Sequence, residues 1–190
     1  MGELIAGEFV TLDGVMESPD KWQFPNDLFE DGMGEEIQRT LESVDAMLLG
    51  RTTYEEWAAF WPAQSGDDPF AKKFNSIPKY VVSKTLKAPL AWKPSTVVAG
   101  DLAKEVAGLK ERHPRGLLIL GSGQLVNGLT SLGLIDEYQL QVHPVVVGRG
   151  KRLFRDGVAP TLFEVAKTKT YGTGVVSITY RRKGTAVVGG

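Results

Sequence analysis

The run Leu117-Leu118-Ile119-Leu120-Gly121-Ser122-Gly123-Gln124-Leu125 decides the fold class. Four consecutive apolar residues read as a strand buried on both faces. It passes through two glycines into a stretch with helical spacing that continues to about Leu132. A buried strand feeding directly into a helix belongs to an α/β sheet. Two glycines at such a junction let the backbone approach a pyrophosphate closely. The Rossmann fingerprint needs a third glycine, but Val126 stands at that place. The loop also lies late in the chain, whereas that fingerprint follows the first strand. A dinucleotide site built here is therefore of a different type.

The same grammar recurs upstream. Ala46-Met47-Leu48-Leu49 is a short apolar strand cut off by Gly50, and Thr53 to Trp61 reads as a helix. Thr53 with Glu56 three residues later forms a capping-box pattern. Free N–H groups and the positive end of that helix, beside Arg51 and Thr52, suit a phosphate. A capped helix with a surface arginine is the equal alternative. Trp57, Phe60 and Trp61 share one helical face and read as a core stripe. A third loop follows the strand Lys79 to Ser83, where Val82, Ser83 and Lys84 place a hydroxyl and an ammonium together. Such a pair can hold an anion, although a solvated turn satisfies the same residues.

Around these loops, Glu3 to Leu12 reads as a first strand ending in a turn at Asp13-Gly14. Glu17 to Asn26 is an ordered loop, and Asp27 to Glu42 is a helix with apolar residues at Phe29, Met33, Ile37 and Leu41. A helix from about Pro69 to Asn75, a strand near Thr96 to Ala99 and a helix capped by Asp101 follow. Ile135 to Val147, Leu162 to Tyr171 and Val175 to Arg181 are extended, the last two forming an antiparallel hairpin across Gly172-Thr173-Gly174. The expected architecture is a mostly parallel α/β sheet flanked by helices, with that hairpin on its edge. One domain spans residues 1–183, followed by a disordered tail over 184–190.

The 190 residues carry 22 Lys and Arg against 23 Asp and Glu, a formal net charge of −1. Such a balance lacks the electrostatic footprint of a nucleic-acid binder. The chain has no cysteine, which excludes disulfides, thiolate catalysis and Cys-ligated zinc. Its two histidines, His113 and His143, each precede proline and stand apart from ligand-spaced carboxylates. No metal site is expected. No apolar run approaches the ~20 residues of a membrane span, and the acidic N-terminus lacks the basic region of a signal peptide. A cytoplasmic location is expected. No Gly-x-Ser-x-Gly elbow supports a serine hydrolase.

Together these loops resemble the dihydrofolate reductase superfamily, and within it the reductase domain of the riboflavin-biosynthesis deaminase–reductase and its stand-alone bacterial relatives. The matching residues are Thr11-Leu12-Asp13-Gly14, Gly50 to Glu55, Val82 to Leu86 and Gly121-Ser122-Gly123. Leu134 to Tyr138, Pro144 to Gly150 and Leu153-Phe154 follow in the family's order. The resemblance implies an NADPH-dependent reductase delivering hydride to a C=N or C=O bond of a small heterocycle. Dihydrofolate reduction proper, or nucleotide binding without turnover, are the alternatives. It implies cofactor contacts at Gly50, Arg51, Thr52, Thr53, Val82, Ser83, Lys84, Gly121, Ser122, Gly123, Gln124 and Leu125. Ser83 and Lys84 match the place of the adenosine 2′-phosphate. Ser122 stands where the family often carries a second glycine.

Two acids compete for the proton-handling role. Trp22-Gln23-Phe24-Pro25-Asn26-Asp27-Leu28 resembles the segment of dihydrofolate reductases that leads an aspartate into the first helix, which makes Asp27 a candidate. An Asp at a helix start near aromatics can be desolvated and raised in pKa, or it can simply cap the helix. Asp13, at the mouth of the first strand, is the rival. The resemblance further implies a small-molecule substrate and a homodimer built through the strands around Ile135 to Val147. The alternation of Tyr138, Leu140 and Val142 reads equally as one buried face of a monomer's sheet.

Overall fold

The computed structural model describes residues 1–64 and 67–186. Eight strands form one sheet: β1 (Leu4–Thr11), β2 (Ala46–Gly50), β3 (Lys79–Val82), β4 (Ser95–Val98), β5 (Leu117–Leu120), β6 (Glu137–His143), β7 (Thr161–Thr170) and β8 (Val176–Thr185). Their order is β4-β3-β2-β5-β1-β6-β8-β7. Every pairing is parallel except those of β8 with β6 and with β7. The expected edge hairpin is therefore present. It runs further than the sequence suggested, because Gly184 and Thr185 belong to β8. The rest of the expected tail, residues 187–190, lies outside the described residues.

Helices α1 (Asp31–Ser43), α2 (Arg51–Phe60) and α3 (Pro69–Ser76) cover one face of the sheet, and α4 (Leu102–Arg112) and α5 (Gly123–Ser131) cover the other. The periodicity of the strands explains this division. In β1, Ile5 joins Leu41, Met47, Tyr54 and Phe74 under the first set. Leu4, Ala6 and Val10 face the opposite way, onto Val106, Leu125, Val126 and Tyr138. Central strands β2 and β5 are buried on both faces, as their unbroken apolar runs require.

Strand β6 lies between β1 and β8, and Tyr138 and Leu140 are buried. They form the inner face of this chain's own sheet, and β6 has no free edge to offer. Among the described residues, no helix is long and apolar enough to cross a membrane.

Candidate active site

Chain order steps outward from β1 through β2, β3 and β4, then crosses back to β5 and on to β6. The sheet thus changes direction between β1 and β5, and open α/β sheets hold ligands in the crevice at such a point. Pairing of the two strands ends at Gly7 with Leu120. Beyond it, β5 turns away at Gly121 while β1 continues through Glu8. A cleft of about 1280 Å³ opens there. All twelve residues named above as cofactor contacts line it.

On this side the cleft is made of backbone. Gly50 leads into α2 and Ser122 into α5, and neither helix start carries a side-chain cap. The first-turn N–H groups of two helices are therefore free of side-chain acceptors at one cleft. This corrects the capping-box expectation, since α2 begins at Arg51 and Thr53 is inside it. Thr53 instead receives a hydrogen bond from the Ser122 hydroxyl at 2.7 Å, and the same Ser122 Oγ accepts from Gly50 N–H at 2.8 Å. Ser122 so ties the two glycine loops together, in a left-handed conformation with φ 67°. A Cβ at Gly50 would fall 2.8 Å from the Ser122 oxygen, which explains the glycine. Gly121 has φ 74°, where any other residue is strained. Gly123 serves packing, since a Cβ there would meet the Met16 sulfur at 2.6 Å.

The side chains of the Ser83–Lys84 loop and of Arg51 differ in how they are committed. Ser83 is buried, and its hydroxyl accepts from the N–H groups of Thr85 and Leu86, so it shapes its loop. Lys84 is exposed on that loop. Arg51 sits at the start of α2 in a surface pair with Glu55 at 3.3 Å, an interaction weak enough to be exchanged for a phosphate.

Neither of the two candidate acids, Asp27 and Asp13, lines the cleft. Asp27 closes a short 3₁₀ turn over Phe24–Asn26 in a left-handed conformation with φ 52°, four residues before α1 begins. It is exposed and does not line the cleft, so it is neither desolvated nor the helix cap. Asp13 accepts from the Thr11 hydroxyl at 2.6 Å and from the N–H groups of Gly148 and Val147. The Thr11 bond and then these amides pull its carboxyl down to about 2. Asp13 is a permanent anion that clamps the 144–148 loop and holds no proton at neutral pH.

Glu8 is the acid that sequence reading missed. It lines the cleft, is 6% exposed, and accepts from Gly121 N–H at 3.2 Å through Oε2. Among the described residues, its buried Oε1 has no hydrogen-bond partner. Burial pushes its carboxyl up to about 8, against a smaller opposing pull from the Gly121 amide. At neutral pH Glu8 is mostly protonated. The available signal was an acid at an inward position of a strand, alternating with Leu4, Ala6 and Val10.

Across the cleft the lining is different. Phe24, Phe29, Trp57 and Trp61 contribute rings, and α1, β6 and β8 contribute polar side chains. Trp57 and Trp61 pack on Phe74 at 5.0 and 4.6 Å, as a core stripe should, whereas Phe60 is exposed. Gln23, which lines the cleft, is held by His143. This buried ring faces Gln141 carbonyl oxygen through Nδ1 at 2.9 Å, so Nδ1 carries the proton and Nε2 accepts from the Gln23 amide at 2.8 Å. Burial holds His143 below its ordinary pKa and keeps it neutral. Among the described residues, no group of three or more acids and histidines is arranged for a metal ion.

The strand order, the edge hairpin and the crevice between β1 and β5 define the class: a dihydrofolate-reductase-like α/β reductase fold. Residues 3–177 match the sequence profile of the RibD C-terminal domain, and the chain belongs to that family. The uncharacterized protein YyaP of Bacillus subtilis (strain 168) is 30% identical over 183 residues, 92% of each chain. A second protein of that strain, YwjB, is 27% identical over 166 residues, 87% of this chain and 90% of its own. Among solved structures, a candidate riboflavin biosynthesis protein from Shewanella sp. PV-4 superposes with a TM-score of 0.75 at 22% identity, covering 95% of this chain and 99% of that one. The deaminase/5-amino-6-(5-phosphoribosylamino)uracil reductase of Thermotoga maritima gives 0.69 at 14% identity, over 96% of this chain and 57% of that longer protein. At these identities the structural likeness establishes the fold, which is that of a riboflavin-biosynthesis-type pyrimidine reductase.

Proposed function

We propose that this protein is an NADPH-dependent reductase acting on a C=N or C=O bond of a small heterocycle. One observation carries the reading: two uncapped helix N-termini and a buried, proton-bearing carboxyl meet in a single cleft at the sheet's switch point. Bound there, NADPH would supply the hydride. The N–H groups at the starts of α2 and α5 suit its pyrophosphate, and Arg51 and Lys84 suit the 2′-phosphate. Gly121 and Gly50 keep the backbone bare where it would approach the phosphates. Glu8 retains its proton at neutral pH where β1 and β5 part, and would donate it as negative charge develops on the substrate. Met16 to Lys21 and Gln23 line the cleft, and His143 holds Gln23.

The test is oxidation of NADPH, followed by nicotinamide absorbance, across a panel of pterins and aminopyrimidines. Deuteride carried from labelled NADPH into a reduced product supports the assignment. Tight NADPH binding with no oxidation by any member of the panel would make the protein a nucleotide binder instead.

A further inference from the structure

Both glycine loops spend an amide on an acceptor inside the protein. Gly50 N–H donates to the Ser122 hydroxyl at 2.8 Å, and Gly121 N–H donates to Glu8 at 3.2 Å. The first acceptor is neutral, whereas the second is a carboxyl. Gly121 lies two residues before Gly123, where α5 begins. Glu8 therefore holds the last amide before the helix start that suits a pyrophosphate.

Among the described residues, nothing beside Glu8 answers a charge on it. Strand β5 and helix α5, which pack on its side of the sheet, contain no titratable residue. On β6, Leu140 stands opposite Glu8, and Tyr138 is bonded to Thr130 and kept neutral, pushed up to about 12 chiefly by burial. Glu137 is paired with Arg181 at 3.0 Å, and His143 faces the Gln141 carbonyl and Gln23. In the segment before the cleft, Glu17 is paired with Lys151 at 2.6 Å, and Asp20 and Lys21 are exposed. At the start of α2, Arg51 is paired with Glu55. The Glu8 carboxyl is raised by burial and lowered by the Gly121 amide alone. No cation stands by to offset a second negative charge arriving at the same loop.

We propose that an anion seated on the start of α5 drives a proton from water onto Glu8, so that cofactor binding itself loads the acid. The inference rests on the reductase reading above and adds a regulation to it. Like charges at one loop disfavour the ionised carboxylate. Two residue steps along the chain span at most ~8 Å. At that separation and an effective dielectric of ~20, one phosphate charge raises the pH at which Glu8 ionises by about one unit. Reciprocity makes an ionised Glu8 weaken the anion by the same factor. The cofactor-free protein loses this proton through about pH 8. Above that pH, a substrate arriving before the cofactor meets an acid without its proton, and one arriving after it meets the proton in place.

Calorimetric titration of the full chain with NADPH, in buffers of different ionisation enthalpy, counts the protons taken up. The useful window is about pH 7 to 9, where the 2′-phosphate is already ionised and lysines are still charged. Uptake should be near zero at about pH 7 and about half a proton per NADPH at about pH 8.5. Because the bound state holds more protons, affinity should fall as pH rises, by about fivefold across that window. Glu8→Gln should bind NADPH with no uptake and a flat affinity. 2′-Phospho-ADP-ribose, which carries the phosphates without the nicotinamide, should take up as much as NADPH. No uptake by the unaltered protein at about pH 8.5, undiminished uptake in Glu8→Gln, or none with 2′-phospho-ADP-ribose would each overturn the proposal. If Glu8→Gln does not fold, the other two measurements still decide. Failure of NADPH and the phosphate probe alike to bind would instead strike the reductase reading.

Discussion

The two walls of the cleft recognise by different means. At the starts of α2 and α5, the ligand-facing groups are backbone N–H dipoles, positioned by glycines and locked by Ser122. Along α1, β6 and β8, they are side-chain oxygens held by hydrogen bonds from neighbouring elements. The first wall suits an anion of fixed shape and depends on local chain geometry. The second presents hydrogen-bond acceptors and depends on which strands lie side by side. Glu8 stands at the seam, bonded to the Gly121 amide of the first wall and buried within the sheet. One wall can therefore be altered without the other, while Glu8 lies between them.

Altering the seam should have the largest effect. In Glu8→Gln, turnover should fall by roughly 10²–10⁴ while NADPH binding persists, because glutamine keeps the shape and the acceptor for Gly121 but not the transferable proton. Steady-state and single-turnover kinetics measure this, and unimpaired turnover would remove Glu8 from the reaction. The same variant sharpens the electrostatics. In the unfolded chain this carboxyl releases its proton near its ordinary 4.5, and in the fold near 8. Between those values the folded state binds more protons, so stability falls as pH rises and levels off above about 8. A single linked proton gives a slope of up to ~1.4 kcal/mol per pH unit. Denaturant melts at stepped pH should show the slope shallower in Glu8→Gln, and an unchanged profile would place the charge elsewhere.

Next in size is the backbone wall. Gly121→Ala puts a Cβ on a residue at φ 74°, which strains the fold by about 1–2 kcal/mol. Denaturation midpoints should drop accordingly, and NADPH affinity should weaken by about tenfold if the loop distorts to relieve the strain. Retention of both would mean that the loop is not held as described. The smallest effect is expected at Asp27→Asn. An exposed side chain away from the cleft should leave turnover within about twofold and stability within ~0.5 kcal/mol. A large loss of activity would restore Asp27 to the site.

This contrast also explains what was legible before the structure. The strand–glycine–helix loops were readable because their elements follow one another within a few residues, so local order dictates local geometry. The acid was not. Phe24-Pro25-Asn26 close a 3₁₀ turn that ends with Asp27 in a left-handed conformation, and α1 starts four residues later than its apolar spacing suggested. Glu8 is an inconspicuous acid in a strand, and its burial depends on β5 ending at Leu120, more than a hundred residues away. Gln141, Ser177 and Glu36, which line the second wall, meet only because β8 returns antiparallel against β6. The core stripe at Trp57 and Trp61, the Asp101 cap, which accepts from Lys104 N–H at 3.0 Å, and the edge hairpin were all short-range and were all visible.

The account rests most directly on an anion-binding wall that takes NADPH. Equilibrium titration of the protein with NADPH and with NADH, followed by nicotinamide fluorescence, tests it. The account predicts saturable 1:1 binding of NADPH, tighter than NADH by roughly ten- to a hundredfold through charge-assisted contacts at Lys84 and Arg51. It also predicts that Lys84→Ala weakens NADPH and spares NADH. Equal dissociation constants for the two nucleotides, or no saturable binding of either, would contradict it.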